Sequence, residues 1–501
     1  MLSLDTLGRR LSDCPVRHVG WSDRSGSGAV RVAESEIAEL FLGGADASPV
    51  RNTALVCALT AAVLLSSCSG SEPDSNLNVS LTSEPDADAA AATFYAFVSA
   101  DDVGFECSYD EAEWTACTSP ALHVPSAPGA HAFAVRAIGA DGSLGEPVSS
   151  AWNQPSVFDG HPDLIATQQS PAKADPRSWR GILRVNCDFA HSSYDDPIVF
   201  PGQEGAAHLH RFYGNTLTDH SSTMASLYLY GESTCQGNVL NRSAYWIPTL
   251  LAPAYDAAGS RMLDGAGEPA FEAVPAVVGN DDVAHEVIYY SAAVDDLQSI
   301  QAPPPGLRII AGDASSGPDQ PQPFSVARWH CQSWESSDAL NPRWSSTIPE
   351  CVAPDRLRMD VFFPSCWNGT DLDSADHKSH MAYPIVSSTG ATECPASHPV
   401  PIARVSYHYA WGVKPEHFDP STRSTRGWRL ASDGHAVTAD QPGGASLHGD
   451  WFNAWHPEVL QAIVDGCIAG GLDCHDGNLG NGYRLSGTRP GTQTAPSFVG
   501  G

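Results

Sequence analysis

Short apolar runs bounded by Gly, Pro, Asn or Asp recur roughly every dozen residues from about Ser156 to Tyr483. Gly181–Val185, Ser226–Tyr230, Glu286–Tyr290, Leu307–Ile310 and Arg358–Phe363 each have the length and the β-branched or aromatic content of a strand. A smaller set lies upstream, between Thr93 and Gln154, where Ala130–Ile138 alternates apolar and other residues with strand period. One segment has helical spacing instead. Pro457–Cys467 starts with Pro, follows with Glu, and repeats apolar residues at intervals of three and four. The pattern predicts a mainly β protein: a large antiparallel, β-rich domain with a few helices over 156–486, preceded by a small β-sandwich over 93–154. The polar tail 487–501 has no period and is expected to be disordered.

The first 92 residues carry a different signal. Ala54–Leu65 is an apolar run preceded by Arg51 and followed by Leu65-Ser-Ser-Cys68. A basic residue, a short apolar stretch and small residues before a cysteine are the parts of a bacterial lipoprotein signal, too short to span a bilayer comfortably. On this reading 50–67 is the signal peptide and Cys68 the lipidated first residue of the mature chain. The alternative is an ordinary secretory signal with a chance cysteine. Residues 1–49 are polar, lack periodicity and precede the signal, so they are expected to reflect a mis-assigned start, with translation beginning near Val50. The stretch 68–92 is rich in Ser, Asp, Pro and Ala and reads as a flexible tether.

Cysteine usage agrees with export. The chain has 13 cysteines, and setting aside Cys14, Cys57 and Cys68 leaves ten. An even number in an exported chain points to disulfides. Proximity suggests Cys107 with Cys117, Cys331 with Cys351, Cys366 with Cys394 and Cys467 with Cys474. The net charge of −31 argues against nucleic acid as a partner, because phosphate neutralisation needs clustered Lys and Arg. The membrane is expected to be met only through the lipid.

Chemistry-bearing residues gather in three knots. The first is His208-Leu-His210-Arg-Phe-Tyr-Gly-Asn215. The second runs from Phe363-Pro-Ser-Cys-Trp367 through Asp371, Asp373 and Asp376 to His377-Lys378-Ser379-His380. The third is His448-Gly-Asp450-Trp-Phe-Asn453-Ala-Trp455. In a strand His208 and His210 face one side, a common start for a metal site. His380, His448 and Asp450 would complete a three-histidine, one-carboxylate set suited to a divalent transition metal such as zinc or copper. The alternative is that these histidines satisfy hydrogen bonds in a polar core.

Paired carboxylates serve glycoside hydrolysis, one as acid and the other as base or nucleophile. Asp450 and Asp376 are the candidates, with His448 and His380 beside them; a solvated or calcium-binding acidic loop is the alternative. Lys378 stands between two histidines and suits the carboxylate of a uronic-acid polymer. Tyr213, Tyr245, Trp246, Trp367 and Trp455 flank the knots as stacking surfaces for sugars, with Asn215 as a polar contact, unless they are simply core. No GxSxG elbow and no Gly-rich phosphate loop occurs.

Two resemblances follow from these motifs. The segment around Cys107, Cys117 and Ala130–Ile138 resembles Ig-like or fibronectin-like modules of secreted bacterial proteins, which implies a spacer or a weak glycan binder. The large segment resembles the DUF1996 family. The residues that carry this are Asp196–Gly202, His208-Leu-His210 with Phe212–Asn215, Arg242–Pro248, Gly306–Gly312, Phe363–Gly369, Asp376–His380, Cys394-Pro with His398-Pro399, and His448-Gly-Asp450. One departure is Asn241-Arg242, where the family has an acidic residue before the basic one. The resemblance implies no defined activity; the modules that accompany the family imply polysaccharide or cell-wall glycan as partner. Two readings remain open: an exported lipoprotein that cleaves extracellular glycan, and a non-catalytic glycan-, wall- or metal-binding surface protein.

Overall fold

The computed structural model describes residues 77–487, except 84–91, 101–102, 126, 176–179, 275–286, 333–342, 354 and 414–420. The signal segment 50–67, Cys68 and the tail from 488 lie outside them. Among the described residues no helix is long and apolar enough to cross a membrane.

The small domain is built from two sheets. Val79–Ser83, Thr93–Ser99 and Ala121–His123 form one; Thr115–Cys117, Gly104–Tyr109, Gly129–Ile138 and Val148–Gln154 form the other. Tyr95, Phe97, Cys107, Phe133, Val135 and Trp152 fill the space between them. Its first strand begins inside the stretch expected to be tether. Val79 and Leu81 alternate with polar residues and pair with Ser99 and Phe97, so the segment gains a ladder and buries Val79.

The large domain is mainly β and antiparallel. A seven-stranded sheet takes the order Ala327–Gln332, Arg356–Phe362, Arg404–Gly412, Val287–Ser291, Ile182–Asn186, Leu472–Cys474, Ala172–Lys173. A five-stranded sheet takes the order Phe189–Ser193, His210–Gly214, Ala244–Pro248, His448–Phe452, Arg308–Gly312. Alternation sorts their faces. Leu357, Met359, Val361, Val405, Tyr407, Tyr409 and Trp411 of the first sheet share one core with Tyr213, Tyr245, Ile247, Ile309 and Trp451 of the second. The opposite face of the five-stranded sheet carries Phe212, Trp246 and Phe452, which pack on Ile198, Leu227 and Tyr228. The same period places His210, His448 and Asp450 on that second face.

Four of the expected strands are present with ends shifted by a residue or two. Ser226–Tyr230 is not a strand: Met224–Leu229 is a helix. Leu-Tyr-Leu-Tyr alternates, but Thr223 and Ser226 form a capping box, each side chain meeting the other's backbone N–H, at 3.2 and 2.9 Å. The predicted late helix is present as Pro457–Ile463, continued by a wider turn over Val464–Ile468. Its Glu458 accepts from Ser156 Oγ and Val157 N–H at 2.6 and 2.8 Å and ties the start of the domain to its end.

All four expected disulfides form, and the remaining cysteines give a fifth, Cys187–Cys235.

Candidate metal centre

His210 opens the strand His210–Gly214, and His208 lies two residues before it, outside the ladder. Their rings nevertheless turn to the same side, with centroids 4.1 Å apart. His448 and Asp450 sit two apart on the strand His448–Phe452 and so share its outer face. Gly449 between them faces the core. A Cβ there would lie 2.9 Å from the Tyr407 ring, so only glycine lets this strand pack so closely. Tyr407 Oη donates to the Asp450 carbonyl and pins the same point.

These residues converge. The ring of His208 is 5.0 Å from that of His448, and His210 is 5.9 Å from it. One ligating atom each from His208, His210 and His448 lies within 4.8 Å of the others. A second set, Asp196, His210 and Asp450, meets the same limit. His448 Nε2 stands 3.9 Å from Asp450 Oδ2. Asp196, a residue the sequence reading did not single out as a ligand, arrives on the turn that covers the sheet. Its Oδ1 accepts from the N–H groups of Ile198 and Val199 at 2.8 and 2.9 Å.

Two histidines are held by their far nitrogens. His210 Nδ1 bonds the Asp195 carbonyl at 2.9 Å, and His448 Nδ1 bonds the Ser446 carbonyl at 2.8 Å. A carbonyl acceptor fixes the proton on Nδ1 and leaves the Nε2 lone pair facing the cluster, which is how metal-binding imidazoles are oriented. The Nε2 atoms of His208 and His210 and Oδ2 of Asp450 are buried without a hydrogen-bond partner. An unsatisfied buried polar atom costs about 1–3 kcal/mol, so three in one place call for a ligand to satisfy them.

Burial keeps the imidazoles neutral. The pKa of His208 falls to about 4 and that of His448 to about 3, and His210 lies well below the ordinary value, in each case mainly by desolvation. Desolvation and the neighbouring Asp196 push the Asp450 carboxyl well above its ordinary range. Neutral nitrogens and a buried carboxyl with an unbonded oxygen suit a divalent cation, which would add positive charge beside them.

The other expected site residues divide. His380 is buried but stands apart from the cluster; its Nε2 meets the Arg308 carbonyl at 2.6 Å and its Nδ1 meets Ser374 Oγ at 2.9 Å, so both nitrogens are occupied. Asp376 is exposed, and one oxygen accepts from Ser374 Oγ, Lys378 N–H, Ser379 N–H and Ser379 Oγ. Those bonds hold its pKa far below the ordinary carboxylate value, which suits a loop clasp and not a proton donor. Lys378 is exposed; its Nζ donates to the Gly312 carbonyl at 3.0 Å, and Gly312 is the register partner of His448. Trp367 is half-buried with its indole N–H on the Asp371 carbonyl.

Tyr213, Tyr245, Trp246 and Trp455 are fully buried and present no ring face to a sugar. Tyr245 and Trp455 meet at Tyr290 Oη inside the core. Trp246 packs on Phe212, and burial raises the pKa of the neighbouring Asp196 carboxyl above its ordinary value. Asn215 is buried as well and donates to the Leu227 and Tyr230 carbonyls. Tyr213 and Tyr245 alternate with the site residues and fill the core between the sheets, Trp455 joins that core beyond the strand, and Trp246 is buried on the site's own face under Ile198, Leu227 and Tyr228, so none of them serves as a platform.

The chain thus holds a β-rich domain with three histidines and two carboxylates gathered beside the outer face of one sheet. The family model described as a domain of unknown function (DUF1996) matches residues 196–455, and the chain belongs to that family. The match begins at Asp196 and ends at Trp455, so it encloses every member of the cluster. No curated protein matches the chain.

Proposed function

We propose that the protein is exported, anchored through a lipid on Cys68, and acts on extracellular polysaccharide at a divalent transition-metal centre held by His208, His210 and His448 with Asp450. The observation that carries the metal centre is the convergence of these ligating atoms with no hydrogen-bond partner for three of them. Nitrogen-rich sets with one carboxylate favour zinc or copper. A bound cation would polarise a substrate oxygen or a water, and Asp450 and Asp196 would hold or pass a proton beside it.

Support for an anionic glycan comes from Lys378 and Trp367. Lys378 is exposed and its charge reaches His448 and Asp450. Trp367 is the one expected stacking aromatic that keeps part of its ring in solvent. The small two-sheet domain serves as an Ig-like spacer, and five disulfides suit an oxidising compartment.

The test is product release from a panel of uronic-acid and neutral polysaccharides, by wild type and Asp450→Asn, each with and without prior chelation. Release that disappears on chelation and in the variant supports catalysis. Binding of the glycan with no release in any sample selects the non-catalytic reading. Neither binding nor release removes polysaccharide from the account.

A further inference from the structure

A second convergence of ligating groups lies in the small domain, outside the family match. Asp110 sits at the tip of the hairpin that follows Gly104–Tyr109; it and Glu111 have φ of 51° and 62°, a pair of left-handed residues that turns the chain tightly. His123 ends the strand Ala121–His123 of one sheet, and His131 lies in the strand Gly129–Ile138 of the other. One ligating atom from each of the three falls within 4.8 Å of the others.

Each residue is held by the atoms that do not face the others. Asp110 Oδ1 accepts from Ala132 N–H at 2.8 Å, which leaves Oδ2 turned inward. His131 Nε2 meets the Ala127 carbonyl at 2.8 Å, and its Nδ1 faces Asp110 Oδ2 at 2.8 Å. His123 is stacked on Tyr109 with ring centroids 4.2 Å apart and meets Trp152 edge-on at 5.7 Å. Its Nε2 is buried, has no hydrogen-bond partner, and stands 3.9 Å from Asp110 Oδ2. A carbonyl on the far nitrogen, a backbone N–H on the far oxygen and a ring clamped between aromatics are the supports that orient metal ligands. The Asp110 side chain keeps 43% of its surface, so a cation can enter and retain water on the open side.

We propose that Asp110, His123 and His131 form a second, independent site for a first-row divalent cation such as zinc, which clips the two sheets of the small domain together. Two imidazoles and one carboxylate suit zinc better than calcium or magnesium, which take oxygen ligands. Both His131 nitrogens face oxygen acceptors, Nε2 the Ala127 carbonyl and Nδ1 the Asp110 carboxylate. A cation binds Nδ1 through its free lone pair, so it would replace any proton carried there. The site needs nothing from the centre in the large domain.

The experiment is zinc titration of the chelator-stripped full chain, with bound zinc counted by mass spectrometry. Wild type is compared with Asp110→Asn/His131→Gln and with His208→Ala/His210→Ala. The expected result is two equivalents in wild type and one in each variant. One equivalent in wild type, lost only in His208→Ala/His210→Ala, overturns the second site and leaves the first. One equivalent lost only in Asp110→Asn/His131→Gln leaves the second site standing and overturns the first.

Fluorescence guards against a variant that misfolds. Copper(II) added to the His208→Ala/His210→Ala chain is expected to quench the emission of Trp152, which lies against both His123 and His131. Quenching that is the same after Trp152→Phe contradicts binding at this place.

Discussion

Asp433 offers a quantitative test of how the large-domain centre is positioned. This carboxylate is only 3% exposed and accepts four hydrogen bonds. Oδ2 takes the N–H groups of Leu430 and Gly444 at 2.8 and 2.6 Å; Oδ1 takes Ser446 Oγ at 2.7 Å and Ser446 N–H at 3.3 Å. The Ser446 carbonyl then accepts from His448 Nδ1, so Asp433 fixes His448 through one residue.

Asp433→Asn preserves the shape but turns one oxygen into an NH2 group facing donors. Two bonds to a charged acceptor are lost at about 1.5–3 kcal/mol each, or about 3–6 kcal/mol of stability. The variant should also bind zinc at the large-domain centre about 10–100-fold more weakly, the usual effect of removing support behind a ligand. Urea unfolding gives the first quantity and competition with a chromophoric chelator the second. A variant with full stability and unchanged zinc affinity would refute the chain from Asp433 to His448. Lost stability with unchanged affinity would make Asp433 structural alone.

Two further predictions concern the fold. The Cys187–Cys235 disulfide closes a separation of 48 residues in the core, and replacing both cysteines by Ala should cost about 4 kcal/mol by loop-closure entropy. Urea unfolding midpoints check this, and an unchanged midpoint would contradict it. His456 has its pKa lowered to about 4, mainly by burial, against 6.5 when unfolded. Between these values the unfolded chain binds more protons, so stability rises with pH there; the loss begins below pH 6.5 and is complete at about pH 4. The shift is equivalent to about 3 kcal/mol. His456→Asn should flatten the stability profile across that window by a like amount, and a profile as steep as that of wild type would show that His456 is not the cause.

Much of this architecture was legible in the sequence because it rests on local rules. Period-two alternation gave the strands, Pro457 and Glu458 marked the helix, and short separations paired eight of the cysteines. The spacing of His448 with Asp450 puts that pair on one side of its strand, whereas His208 lies before the strand that His210 opens and its ring reaches the same side without the ladder.

What was not legible depended on which strands lie side by side. Nothing local says that Tyr213 and Tyr245 face a second sheet, so their rings read as a sugar platform although they are core. His380 has the spacing of a ligand but meets Arg308 and Ser374. Asp196 could have been suspected, since Asp before Pro opens a turn, yet only the folded turn brings it beside Asp450. No local motif joins Asp110, His123 and His131, because three separate segments must fold before their side chains meet.

In the proposed centre His208, His210 and His448 bind one metal ion together. Bound zinc per chain, measured side by side on wild type and His208→Ala/His210→Ala after identical loading and dialysis, tests it most directly. Wild type should hold one more equivalent than the variant. Equal zinc in the two chains, both folded by circular dichroism, would contradict it.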